Sequence, residues 1–232
     1  WTPWHDVTTE TPPYADLEPR FHASILYNGA PWKNRLIEPY VGGADGWCQW
    51  NLEREPKGRT TTGYYLRKMV DESHDVIAYS GGVQPLIVLR YAEVLLNKAE
   101  ACHKTNDPAG ANAAVRAIRD RVGLPYEDVT GDDLWKAIRQ ERKVELAYEG
   151  LWYWDLRRWG VAHEAYPEGL SGYQLHGLKI EKSGDSFTYT YVSEDDKNRN
   201  FPQKMYRFPL PGSELTSNSL VEQYPEWRQN QR

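Results

Sequence analysis

The chain has 232 residues, 40 % of them hydrophobic, which is enough for a domain with its own core. A formal net charge of −5 and a pI near 5.7 argue against a phosphate-backbone partner, which asks for a basic face. No apolar run is long enough to read as a membrane-spanning helix.

Trp1 stands where a start methionine would, and no charged-then-apolar leader follows it, so the chain reads as processed or cut down. Residues 1–20 carry Pro3, Pro12, Pro13 and Pro19, which fix φ and remove donors; this predicts an extended surface segment. Phe21–Tyr27 reads as a short helix or strand, and Asn28-Gly29 as a turn. From Ala30 to Thr62 periodicity is lost. This stretch holds Trp32, Tyr40, Gly42-Gly43, Asp45-Gly46 and Trp47-Cys48-Gln49-Trp50-Asn51. A loop that long, rich in large aromatics, reads as functional. Gly63–Val70 follows, and Gly81-Gly82 marks a break.

Residues 85–160 form the predicted helical core. A first helix runs from Leu86 to about Thr105, with Val88, Ala92, Leu95, Ala99 and Cys102 on one face. Asp107 supplies an N-cap oxygen and Pro108 fits the first position of a second helix. Ala111, Val115, Ile118 and Val122 form its stripe, and Gly123 and Pro125 end it. Ala99 and Ala111 are small where two helices of a tetratricopeptide-like hairpin approach closely. A third helix, capped by Thr130 or Asp132, covers Leu134 to about Glu149, and a fourth covers Leu151–Trp159. The third helix brings Glu141, Glu145 and Glu149 onto or beside its inward face. Buried carboxylates must be paired or protonated, so these read as an ion-pair network rather than as catalytic acids, with Arg90, Arg157 and Arg158 as partners.

After Gly160 the character turns to β, over residues 173–211. Leu178–Glu181 and Phe187–Tyr191 alternate around Ser183-Gly184-Asp185 as a hairpin should, and Met205–Leu210 reads as a short strand. The expected fold is mainly α: tetratricopeptide-like helical hairpins with long irregular loops and a small β-hairpin, in a single domain over 1–232.

Several stretches together resemble the C-terminal signature of the SusD/RagB family. They are Leu89-Arg90-Tyr91-Ala92-Glu93-Val94-Leu95-Leu96-Asn97, Ile118–Pro125, Ile138–Gly150 and Asp155-Leu156-Arg157-Arg158-Trp159-Gly160. Pro19–Ile25, Thr62–Lys68, Tyr206–Pro211 with Glu214-Leu215, and Tyr224–Trp227 flank them in the same order. The resemblance implies a non-enzymatic lipoprotein on the outer face of an outer membrane. Such proteins deliver oligosaccharides, or in some members peptides, to a SusC-like TonB-dependent transporter. Members are about twice this length, so the resemblance also implies a missing N-terminal half that carries the lipid anchor.

No phosphate-cradling loop, nucleophile elbow or zinc motif is present in the sequence, so no cofactor, metal or catalytic residue is assigned. Cys102 falls on the apolar stripe as a buried thiol, and a bridge from it to Cys48 has no spacing signature. Binding remains. Ten Trp and sixteen Tyr against four Phe favour surfaces that are both apolar and wet. A sugar has an apolar face to stack on a ring and a rim of hydroxyls to hydrogen-bond. Residues 30–62 offer both: Trp47, Trp50, Trp32 and Tyr40 as platforms, and Asp45, Gln49 and Asn51 for hydroxyls. The other readings are a helical-repeat adaptor for a protein partner and a carbohydrate-active enzyme. Trp152, Trp154 and Trp159 read as interhelical packing.

Overall fold

The computed structural model describes residues 7–8, 12–46, 60–75, 87–167, 176–193 and 199–228. In chain order its elements are β1 (Val7–Thr8), α1 (Pro19–Ser24), β2 (Ile25–Leu26), β3 (Pro31–Trp32), β4 (Arg35–Leu36) and β5 (Tyr65–Leu66). The helices α2 (Tyr91–Lys104), α3 (Pro108–Arg121), α4 (Gly131–Glu145), α5 (Trp152–Arg158) and α6 (Ala162–Ala165) follow. The strands β6 (His176–Ser183) and β7 (Ser186–Ser193) and the helix α7 (Gly212–Ser217) complete the order. The backbone packs as two units, Trp1–Leu151 with Leu175–Asp195 and Trp152–Gln174 with Asp196–Arg232.

In the first unit, α2 and α3 form the expected hairpin. Ala99 and Ala111 are both fully buried, so two methyl groups set the approach of the helices. Ala114, Val115, Leu134 and Ile138 fill the space between this pair and α4. Asp107 caps α3 by accepting the Gly110 N–H at 2.9 Å, with Pro108 at the first helical position, as expected. The start of α2 differs from the expectation. The helix begins at Tyr91, not Leu86, because Arg90 is extended (φ −138°, ψ 160°) and its guanidinium is held elsewhere. Val88 therefore leaves the apolar face and is 85 % exposed, while Leu96 joins Ala92 and Ala99 inside. The Thr130 side chain makes no cap bond to α4, although Thr130 occupies the cap position.

Glu141, Glu145 and Glu149 form the expected ion-pair network, with Arg90 a partner as expected and Arg20, Lys68, Arg119 and Arg121 as further ones. Glu145 accepts from Arg90 Nη1 at 2.7 Å, from Arg20 Nη1 at 2.9 Å, and on both oxygens from Arg121 Nη2 at 2.8 and 2.9 Å. Arg20 and Arg119 pair with Glu141, and Lys68 and Arg90 with Glu149. Arg157 and Arg158, expected as partners, instead bind within the second unit. The same cations explain why α4 stops at Glu145 rather than Glu149. Lys68 Nζ donates to the Glu145 and Ala147 carbonyls at 3.0 and 2.9 Å, which satisfies acceptors that a longer helix would have used internally. Tyr148 and Gly150 then turn the chain with positive φ.

Phe21–Tyr27 is both helix and strand: α1 runs directly into β2, which pairs antiparallel with β5. The predicted hairpin is β6–β7, in register from His176↔Ser193 to Ser183↔Ser186, with Gly184 at φ +61° in its turn. Residues 1–20 are not wholly extended surface, since β1 adds a third strand through Val7↔Tyr189. Tyr14 is buried against Leu178, Ile180 and Tyr189 over this sheet.

In the second unit, Leu156, Ala162 and Phe201 form the core, with Trp152 packed beside them. Met205–Leu210 is not a strand: a 3-10 turn covers Gln203–Tyr206, and Arg157 takes the Met205 and Tyr206 carbonyls that a partner strand would have used. Trp152 and Trp159 meet edge to face at 6.0 Å, but Trp154 is 54 % exposed and is not packing between helices.

Candidate ligand-binding groove

The stretch read as an aperiodic loop begins with a tight ribbon. β3 and β4 pair through Pro31↔Leu36 and Trp32↔Arg35. Their two-residue turn, Lys33-Asn34, has φ of +46° and +64°, the left-handed pair that suits the twist of a short hairpin. Beneath it, Ile37, Ala30 and Leu26 form a small core to which Trp32 and Tyr65 contribute. The ribbon is pinned from behind by Asp45. That carboxylate accepts from Arg35 Nη1 and Nη2, both at 2.6 Å, and from the Glu38 N–H at 2.8 Å. The paired Arg35 guanidinium holds the Asp45 carboxyl below its usual range, against the opposing effect of partial burial.

A shallow groove of about 680 Å³ lies along this ribbon, lined by Trp32, Lys33, Asn34, Arg35 and Leu36 on one side and Arg67, Glu72 and Ser73 on the other. Lys33 Nζ donates to the His74 carbonyl across the groove. Arg67 donates Nε to Glu72 Oε1 at 2.6 Å and Nη1 to the His22 carbonyl at 3.3 Å. Asp71 orders the far wall as a local turn, accepting from Ser73 N–H and Oγ at 2.9 and 2.6 Å. Trp32 is half-buried, so its ring is both anchored and accessible. An apolar ring beside convergent donors and acceptors suits a ligand with one apolar face and a polar rim.

Trp32 lines the groove. Asp45 stands behind it, with its oxygens on Arg35 and Glu38. Tyr40 packs against the sheet cluster, 5.7 Å from Phe187, under the Lys182 ammonium. Trp47, Gln49, Trp50 and Asn51 lie outside the described residues, as does Cys48, while the Cys102 thiol is free. Sequence reasoning missed Lys33, Asn34, Arg67, Glu72 and Ser73. Asn34 in a short ribbon was the one available signal, and it is weak without a following glycine.

Among the described residues no group of three or more His, Cys, Asp or Glu is placed to hold a metal ion, and no helix is long and apolar enough to cross a membrane. His103, at the end of α2, stacks on Trp135 at 5.3 Å, and His163 hydrogen-bonds Tyr206 Oη at 2.8 Å.

The profile described as the SusD family matches residues 2–227. The SusD-like protein P2 of Formosa agariphila is 33 % identical over 145 residues, which cover 57 % of this chain and 24 % of P2. The SusD-like protein P38 of the same organism is 38 % identical over 89 residues, 34 % of this chain and 18 % of P38. A crystal structure of a SusD-like protein from Bacteroides fragilis superposes with a TM-score of 0.70 at 30 % identity, over 92 % of this chain and 40 % of that one. A second Bacteroides fragilis structure, described as a SusD-like carbohydrate binding protein, shares the fold with a TM-score of 0.60 at 24 % identity. The chain thus matches less than half the length of each of these relatives.

Proposed function

From the premise that this chain belongs to the SusD family, we propose that it binds glycans non-enzymatically through the groove along β3–β4. The observation that carries the reading is the half-buried Trp32 set among Lys33, Asn34, Arg67 and Ser73 in one open groove. A sugar ring would stack on the indole while its hydroxyls exchange hydrogen bonds with the polar wall. Trp47, Trp50, Gln49 and Asn51 follow directly on Asp45-Gly46 at the back of the ribbon, and we assign them to the same site. Asp45 positions Arg35, and Tyr40 supports the ribbon from the sheet side.

The family resemblance supports an outer-membrane location, on the outer face, and delivery to a SusC-like TonB-dependent transporter. It supports peptides as the second ligand class. The salt-linked state of Glu141, Glu145 and Glu149 supports a role in structure rather than in catalysis. One observation favours an additional protein contact: Val88, Leu89 and Tyr91 are 85, 62 and 73 % exposed on neighbouring positions at the start of α2.

Electrophoresis through native gels containing a panel of soluble polysaccharides tests the binding reading. Retardation by at least one glycan, weakened in Trp32→Ala, is expected. Retardation that is unchanged in Trp32→Ala and in Trp47→Ala and Trp50→Ala would move the site elsewhere, and retardation by none would overturn glycan binding by this chain.

A further inference from the structure

The hydrogen-bonding capacity of the groove is lopsided. Lys33 Nζ uses one proton on the His74 carbonyl and keeps two. Arg67 spends Nε on Glu72 and Nη1 on the His22 carbonyl, and its Nη2 has no partner among the described residues. The Trp32 indole N–H and the Asn34 amide likewise have none there. Against these donors stands one lining carboxylate, Glu72, and Arg67 already holds it. Asp45 neutralises Arg35 but does not line the groove, and Asp71 is turned onto Ser73. Of the three lining cations, Arg35 is paired with Asp45 and Arg67 with Glu72, while Lys33 faces no carboxylate among the described residues, on a chain whose net charge is −5.

A neutral sugar hydroxyl both donates and accepts, and in a lining rich in donors its own proton finds few acceptors. A carboxylate or sulfate only accepts, and its hydrogen bonds to cationic donors are about twice as strong as neutral ones. We propose that the groove selects a glycan bearing an anionic substituent, a uronate carboxylate or a sulfate ester. Its oxygens accept from Arg67 Nη2 and Lys33 Nζ while the sugar ring stacks on Trp32. The inference rests on the glycan-binding reading above and specifies its ligand class.

The test is a pair of matched titrations by calorimetry. One pair is polygalacturonate against its carboxyl-reduced galactan; the other is a sulfated galactan against its desulfated form. At least one charged member is expected to bind about tenfold or more tighter than its neutral partner, as one charge-assisted hydrogen bond gives. That preference should shrink as salt rises from about 0.05 M to about 0.5 M, because the groove is open to screening. The pair that shows it distinguishes carboxylate from sulfate. Lys33→Gln, which removes a charge and keeps a polar side chain, should reduce the affinity for the charged member more than that for its neutral partner; Arg67→Gln, which also frees the Glu72 carboxylate, should reduce the preference more strongly. Equal affinity within both pairs, or tighter binding of the neutral members, would overturn the anionic specificity while leaving glycan binding standing. Absence of binding by all four, together with no retardation across the neutral panel, would overturn both.

Discussion

Glu145 shows how one residue fixes three elements. Its two oxygens accept four hydrogen bonds, from arginines on α1, at the cap of α2 and at the end of α3. Its side chain is only 2 % exposed, so removing it takes away the anion that Arg20, Arg90 and Arg121 share. Glu145→Ala is expected to destabilise the fold by roughly 3–5 kcal/mol, read as a lowered urea midpoint. Trp32→Ala should behave in the opposite way. It removes a half-buried ring from a small satellite core, so it should weaken glycan binding about tenfold or more while the helical core keeps its stability. The acids of α4 were legible in the sequence because helical spacing forces them inward. Of their partners Arg90 was legible, but Arg20 was not, since it lies 125 residues from Glu145 and no local pattern links the two.

At the scale of elements, legibility follows how local the determining contacts are. α3 is declared by Asp107 and Pro108 at one end and by its alanine-rich stripe, all within one stretch. Asp107→Ala should cost about 1 kcal/mol, measured as a shift in the denaturation midpoint. The start of α2 and the end of α4 depart from the periodic pattern because Arg90 and Lys68, drawn to Glu145 and Glu149, cap α4 from outside. The ribbon β3–β4 carries no periodicity because it is only two residues deep on each side. A close approach elsewhere was equally silent. A methyl group on Gly177 would sit 2.6 Å from the Thr62 Cα and 2.8 Å from the Thr61 carbonyl, where the segment before β5 crosses β6. Gly177→Ala should therefore cost about 1–3 kcal/mol, measured by thermal denaturation, because backbone rather than a flexible side chain must give way.

For the whole molecule, the α4 network predicts a pH profile. Burial alone would raise the Glu145 carboxyl, but hydrogen bonds from Arg90 and Arg20 and the charges of Arg90 and Arg121 hold it below the usual range. Glu149 is likewise lowered, against burial, by Arg90 and Lys68. A depressed carboxylate contributes its stability above the unfolded value, about 4.3, and loses it as pH falls through the folded value. The melting temperature should stay level from neutral pH to about pH 5 and fall steeply below about pH 4, with a shallower acid limb in Glu145→Gln. A profile without that acid limb in the wild type would contradict the network. The same network ties α1 and Lys68 to the helices, and Arg67, next to Lys68, lines the groove and donates to the His22 carbonyl of α1. The helical scaffold thus holds a donor-rich, tryptophan-bearing groove in a fixed shape for a ligand.

The most direct test of that claim is a crystal structure of this chain with an oligosaccharide cut from whichever polysaccharide retards it. A sugar ring is expected against the Trp32 indole, with Arg67 and Lys33 within hydrogen-bond reach of its substituents. A ligand bound instead at the exposed rings of Trp154 and Phe208, with the β3–β4 groove empty, would contradict it.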